Sequence, residues 1–362
     1  MTAHPPRFEA LEGRALFSGT IAAVVSGGAL TLTGDAYDNA VTLTRNGDTV
    51  TLTPEAGTSI NGGAAGAPVD LSGVTGKINI RMGAGNDAVT ITGQVIAGTT
   101  APFAVGGGAA DLAVDLGAGD DQLVLAGVQA RNVTVVTGTG TNSVTVTGLN
   151  PDSAVGGPVD VQSVLQGGLK VTGGTGDDSV SLQGVRVAGS VSLLLGTGGN
   201  AATLAPFHGS DANFNLTVAQ DFAFDSSFAL KANTVTFQDP ADVGSIRIEG
   251  SLRISLGLVD DVVTVAPEAG LYVGKVLFIN GCYGNDTFNL ANVDVHGLLI
   301  LNSGAGTNTV NLTNVTAGLA KWIDGELTIT GYPSFSLPKG LSLAIQNAWA
   351  SSGRCPILPR WF

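Results

Sequence analysis

A sixteen-residue unit recurs nine times in this chain, and it leaves few folds open. It reads hydrophobic–x–hydrophobic, Gly-x-Gly-x-Asp/Asn, then x–hydrophobic–x–hydrophobic, anchored on Asn39, Asp87, Asp121, Asn142, Asp178, Asn200, Asp261, Asp286 and Asn308. The positions nine and seven residues before each anchor, and two and four after it, are apolar in all nine copies, in a chain that is only 44% hydrophobic. Alternation of period two marks strands with one buried face, and a glycine turn between two such strands makes the unit of a stacked coil. The expected fold is all-β, a parallel β-helix. Its hand should be right, the default for parallel crossovers.

Anchor spacings are 48, 34, 21, 36, 22, 61, 25 and 22 residues. The short values give one turn of 21–25 residues. The two longest read as two and three turns with silent rungs at Thr49–Thr53, Phe214–Val218, Thr234–Phe237 and Ile246–Ile248. The 34 and 36 read as one turn plus a Gly-, Ala- and Pro-rich loop near Thr99–Ala110 and Leu149–Gly157. About 13 rungs at 4.8 Å each predict a rod on the order of 60 Å. The predicted division is a leader at 1–20, the β-helix at 21–340, and a cap or tail at 341–362 that shields the last open rung. Phe207, Phe214, Phe222, Phe224, Phe228 and Phe237 cluster where a wider core is expected.

Composition narrows the partners. Net charge is −13 and the sixteen Lys and Arg are scattered singly, which argues against nucleic acid and anionic membranes. No apolar run reaches the length of a transmembrane helix. Mean hydropathy is nonetheless +0.32, which two buried strand faces per rung explain. Cys282 and Cys355 form neither a disulfide framework nor a metal pair, and a bond between the two is not expected.

The N-terminal stretch Arg7-Phe8-Glu9-Ala10-Leu11-Glu12-Gly13-Arg14-Ala15-Leu16-Phe17-Ser18 resembles the LEPR-XLL leader of large surface and adhesin-like proteins of planctomycete-type bacteria. Leu11, Glu12, Arg14, Leu16 and Ser18 match; Gly13 replaces the proline and Phe17 a leucine. The resemblance implies export, with an extracellular or cell-surface location.

Glycines four and two residues before the anchor supply tight corners, and the anchor side chain is placed to bond backbone amides there. Stacked rungs should line the anchors up in a column. Asp121 then faces Asn142, Asp178 faces Asn200, and Asp286 faces Asn308, which avoids the roughly 3 kcal/mol repulsion between bare carboxylates 5 Å apart at an effective dielectric of 20. Gly83–Val89, Gly117–Leu123 and Gly174–Val180 also resemble single copies of the RTX (haemolysin-type) calcium repeat. That resemblance implies calcium as the one candidate cofactor, at Asp87, Asp120, Asp121, Asp177, Asp178, Asp260, Asp261 and Asp286. Here, however, the motif comes once per turn rather than in tandem, and several anchors are neutral, whereas calcium takes six or more oxygens.

Catalysis has weaker support. Parallel β-helices carry many polysaccharide lyases and hydrolases, which need clustered acids and bases. Only Arg247, Arg253, Glu249, Asp260 and Asp261 bring opposite charges near one another in sequence, and His208 and His296 stand apart. The glycine elements are no dinucleotide fingerprint, since no helix follows them. Thr-x-Thr pairs at 42/44, 51/53, 90/92, 145/147, 234/236 and 328/330 resemble the ice-binding face of some β-solenoid antifreeze proteins, though β-branched residues are ordinary on strands. The expectation is a non-catalytic structural or adhesive module, with extracellular polysaccharide or other surface proteins as partners. A polysaccharide-cleaving enzyme and a calcium-binding repeat protein are the alternatives.

Overall fold

The computed structural model describes residues 19–55, 57–96, 99–150, 160–208, 213–239, 244–266, 268–323 and 345–346. It is a parallel β-helix with three strands per turn. One turn runs Leu112–Asp115, Gln122–Ala126 and Val128–Ala130; the next resumes at Val133–Val136 in register with the first. Strands of like position stack into three parallel sheets. The first holds the strand before each anchor, from Ala29–Thr33 to the end of Thr309–Ile323. The second holds the strand after it, from Ala40–Asn46 to the start of Thr309–Ile323. The third closes the triangle, from Phe103–Ala104 onward. No described segment is an α-helix, and none is long and apolar enough to cross a membrane.

The period-two pattern explains the core. Every one of the apolar positions around the nine anchors is buried, from Leu30, Leu32, Val41 and Leu43 to Leu299, Leu301, Val310 and Leu312. Each stacks on its equivalent one turn away, so a single apolar column runs through the rod. At roughly 25 cal/mol per Å² of apolar surface removed from water, this interior is the main stabilising term. Phe222, Phe224 and Phe237 are buried within it. Phe207 and Phe214 instead stack on each other at 5.8 Å in a short antiparallel insert, and Phe228 is exposed.

The rung count is a correction. Ten turns carry an anchor, rather than about thirteen rungs. The 48-residue gap is one turn, because Thr49–Pro54 folds back antiparallel on Ala40–Asn46 and pairs with Val69–Leu71. Thr20–Ser26 folds back likewise on Ala29–Thr33. Two-residue loops at Gly27-Gly28 and Gly47-Asp48, with positive φ at the glycines, make these reversals. The hairpins cover the leading edges of the first two sheets, which would otherwise invite edge-to-edge pairing. The 61-residue gap is two turns, since Leu216–Val218, within the expected Phe214–Val218, and Ile246–Ile248 contribute third-sheet strands and only Thr234–Phe237 is a further post-anchor strand. Of the two loops expected at 34- and 36-residue spacings, Thr99–Ala110 holds short strands and a 3-10 turn at Val105–Gly108.

The leader match at 7–18 lies outside the described residues, as does the tail at 341–362 apart from Ile345–Gln346, which pairs with Trp322–Ile323. Cys282 is disulfide-bonded, contrary to expectation, while Cys355, the only other cysteine, lies outside the described residues.

Candidate functional site

The first-to-second corner holds the most repeated polar residues of the chain, and the strand pairing forces them into register. All nine expected anchors are no more than 4% exposed. A tenth, Asn233, stands between Asn200 and Asp261; its corner, Ser226–Ala232, lacks the Gly-x-Gly signal, so the motif does not reveal it. Its position after an interrupted pattern, just before the alternating Thr234–Phe237, was the one available clue.

The anchors form a continuous ladder in which eight of nine steps set a side-chain oxygen on a neighbouring backbone amide, and the ninth, Asn142 to Asp178, runs from a side-chain amide to a carboxylate. The amide of Asn39 donates to Asp87 Oδ1 at 2.7 Å, that of Asp87 to Asp121 at 2.8 Å, and that of Asp121 to Asn142 at 3.0 Å. Asn142 Nδ2 reaches Asp178 at 2.8 Å, and the amides of Asp178, Asn200 and Asn233 donate to Asn200, Asn233 and Asp261. The backbone amides of Asp261 and Asp286 donate to Oδ1 of Asp286 and of Asn308 at 2.9 and 2.7 Å. The column was expected, and so was bonding within the corner, which Asp261 shows by accepting the Gly257 amide at 2.8 Å and Asn39, Asn142, Asn200 and Asn308 show by donating Nδ2 to corner carbonyls; the bonds to the neighbouring rung's amides come in addition.

A second ladder runs beside the first, one residue earlier and on the exposed side. Here each side chain serves the following turn. The amide of Asn86 donates to Asp38, that of Asp120 to Asn86, and that of Thr141 to Asp120, at 2.7 to 2.9 Å. Gly199 donates to Asp177, Asn285 to Asp260, and Thr307 to Asn285. Inner side chains thus bond backward and outer ones forward, so up to two corner amides per turn are satisfied by neighbouring rungs. Close approach makes glycine necessary: a Cβ on Gly138, whose φ is +84°, would stand 1.6 Å from the Gly117 carbonyl oxygen.

The buried carboxyls carry an electrostatic cost. Burial pushes Asp286 up to about 7, against the favourable Asp261 amide, with Asp261 and Asp260 adding repulsion. Burial lifts Asp87 to about 6, with the Asn39 amide opposing and the Asp121 charge adding. Asp121, Asp178 and Asp261 are raised for the same primary reason. Oδ2 of Asp87, Asp121 and Asp286 has no hydrogen-bond partner among the described residues, so nothing there offsets the burial of the charge. The expected Asp–Asn neighbours occur, but Asp87–Asp121 and Asp261–Asp286 also stand adjacent.

The eight candidate calcium ligands divide between these two ladders. Asp87, Asp121, Asp178, Asp261 and Asp286 are inner and aimed at amides; Asp120, Asp177 and Asp260 are outer. Asp177 also pairs with Lys231 at 2.9 Å, which together with the Gly199 amide holds its carboxyl below the usual range. Among the described residues, no three His, Cys, Asp or Glu side chains gather around one point, and the backbone groups aimed at these carboxylates are N–H donors rather than cation ligands.

The charged region near residue 250 does not come together as one site. Arg247 and Glu249 pair on the third sheet, Arg253 lies on the first, and Asp260 and Asp261 sit at the corner. Pairing across the third sheet instead supplies Tyr272, missed in the sequence because its neighbours are 24 and 25 residues away. Its ring lies 3.7 Å beneath the Arg247 guanidinium, and its hydroxyl is 2.8 Å from His296 Nδ1. Buried Asp239 accepts from the Gly244 amide at 2.7 Å and has His208 Nε2 2.8 Å away.

Five of the six Thr-x-Thr pairs fall on the second sheet; 328/330 lies outside the described residues. Asn289 and Asn311, which interrupt the threonine column, hydrogen-bond to each other at 2.7 Å. No outward position of the second sheet's parallel strands carries a charge, from Thr42 to Asn311, whereas Arg81, Asp115, Lys170 and Arg253 face outward on the first.

Comparison of the chain with family models, curated proteins and solved structures gives no significant match.

Proposed function

We propose that this chain is a rigid, exported β-solenoid acting as a structural or adhesive module at the cell surface or outside the cell, without catalytic activity, and with polysaccharide as its partner. One observation carries the reading. The most repeated polar residues, which would be the natural supply of catalytic acids or metal ligands, are committed to two ladders of amide hydrogen bonds between rungs. Such ladders resist separation of the turns, which suits a rod that bears force or spaces a binding surface. The leader resemblance supports export. The test is a screen of the full chain against polysaccharides for both retention and product release. Retention without cleavage is expected; turnover would overturn the reading.

A second reading, a polysaccharide-cleaving enzyme, is favoured by the contact of Arg247, Glu249, Tyr272 and His296 on one exposed face. A phenol hydrogen-bonded to an imidazole beneath a cation has the makings of a proton-transfer pair. Product release that disappears in Tyr272→Phe would establish it.

A further inference from the structure

Cations are not spread evenly over the rod. Net charge is −13, the second sheet's parallel strands show no outward charge, and the exposed corner is lined by Asp38, Asp120, Asp177 and Asp260. Arg131, Lys231 and Arg247 are each taken up by a carboxylate. Among the described residues, Lys77, Arg81, Lys170, Arg186, Arg253 and Lys275 are exposed and make no ion pair, and of these Lys77 and Lys170 open onto the same feature, a shallow groove of about 570 Å³ on the first sheet.

Strand register places the groove across five turns. Asn79, Ala113, Thr134, Lys170 and Ser192 stand side by side in one outward row, with Lys77 beside the first. Three rungs separate the two lysines, about 14 Å along the rod at 4.8 Å per strand. Ala113 leaves the floor low between them. Asp111, in the groove wall, is already held by Arg131 and Asn132, the bond to Arg131 drawing its carboxyl down to about 2. The groove therefore offers two uncompensated ammonium groups with the amide of Asn79 and the hydroxyls of Thr134 and Ser192.

We propose that this groove binds an acidic polysaccharide of the polyuronate type, lying along the rod axis across the strands. The inference rests on the adhesive reading above and names where and through which chemistry adhesion occurs. Charge complementarity calls for an anion with negative groups spaced along its length. The hydroxyls and amide between the lysines match the sugar hydroxyls of such a chain. A peptide adding as a strand is excluded, because these strands are interior to a parallel sheet and offer no free edge. A nucleic acid strand lacks its stacking platform, since no aromatic side chain lines the groove.

The test is affinity electrophoresis of the full chain through gels containing polygalacturonate, a sulfated glycan or neutral dextran. Polygalacturonate should retard the native chain, and less so in high salt. Lys77→Ala with Lys170→Ala should weaken its affinity by about tenfold, with melting unchanged, while Arg186→Ala on the third sheet should leave it as it was. Equal retardation of the double variant, preference for dextran or for the sulfated glycan, or no retardation by polygalacturonate would each overturn the groove assignment. Retention on another polysaccharide that ignores the two lysines leaves the adhesive reading standing and removes this site. Retention on none removes both.

Discussion

Replacing Asp286 by Asn is the sharpest probe of the corner ladder. Asp286 is 1% exposed; its Oδ1 accepts the Asp261 amide at 2.9 Å and its Oδ2 is without a partner. Its carboxyl is raised from 3.8 to about 7, chiefly by burial. A raised carboxyl favours the folded state fully below its ordinary value, and that contribution disappears as pH climbs through the folded value. Between pH 4 and pH 8 the native chain should therefore lose up to roughly 4 kcal/mol through this one group, at 1.36 kcal/mol per pH unit. Asparagine keeps the Oδ1 acceptor and removes the ionisation. Its Nδ2 has precedents at other anchors: Asn142 and Asn308 donate to the corner carbonyls of Gly140 and Gly304, each at 3.1 Å. Asp286→Asn should thus match the native chain near pH 4 and exceed it near pH 8. Urea midpoints followed by circular dichroism at pH 4.5, 6 and 8 read the difference directly, and groups common to both chains cancel. Parallel pH profiles would refute the protonated, buried carboxyl. A variant weaker at every pH would refute the claim that a neutral acceptor suffices.

Other consequences follow from the same geometry. Gly138→Ala should cost about 3 kcal/mol, because the added methyl meets the Gly117 carbonyl and the backbone is left-handed there; an unchanged melting temperature would mean the rungs are not stacked this closely. Asn233→Ala should cost about 1–3 kcal/mol by orphaning the Asn200 amide, whereas Asp260→Ala on the exposed ladder should cost about 1 kcal/mol or less, a contrast that denaturation midpoints measure. Calcium added to chelator-treated protein should leave melting unchanged. A rise, lost in Asp120→Asn or Asp177→Asn, would place ions on the outer ladder.

The residue pattern alone settled the parallel β-helix and its inward face, because period-two alternation decides which side chains must leave water whatever the neighbours are. It also placed nine of the ten anchors in one column, since a fixed turn geometry demands the same residue types at each corner. Other features had no local signature. Asn233 was hidden because its corner, Ser226–Ala232, has a different length and no glycine pair. Thr49–Pro54 alternates just as a rung would, and only pairing distinguishes an antiparallel return from another turn. The opposite bonding directions of the two corner columns, the contact of Tyr272 with Arg247 and His296, and the neighbouring of Lys77 and Lys170 all depend on register between residues many positions apart. Register is decided when the apolar columns of successive turns interlock, and the surface chemistry follows from that packing.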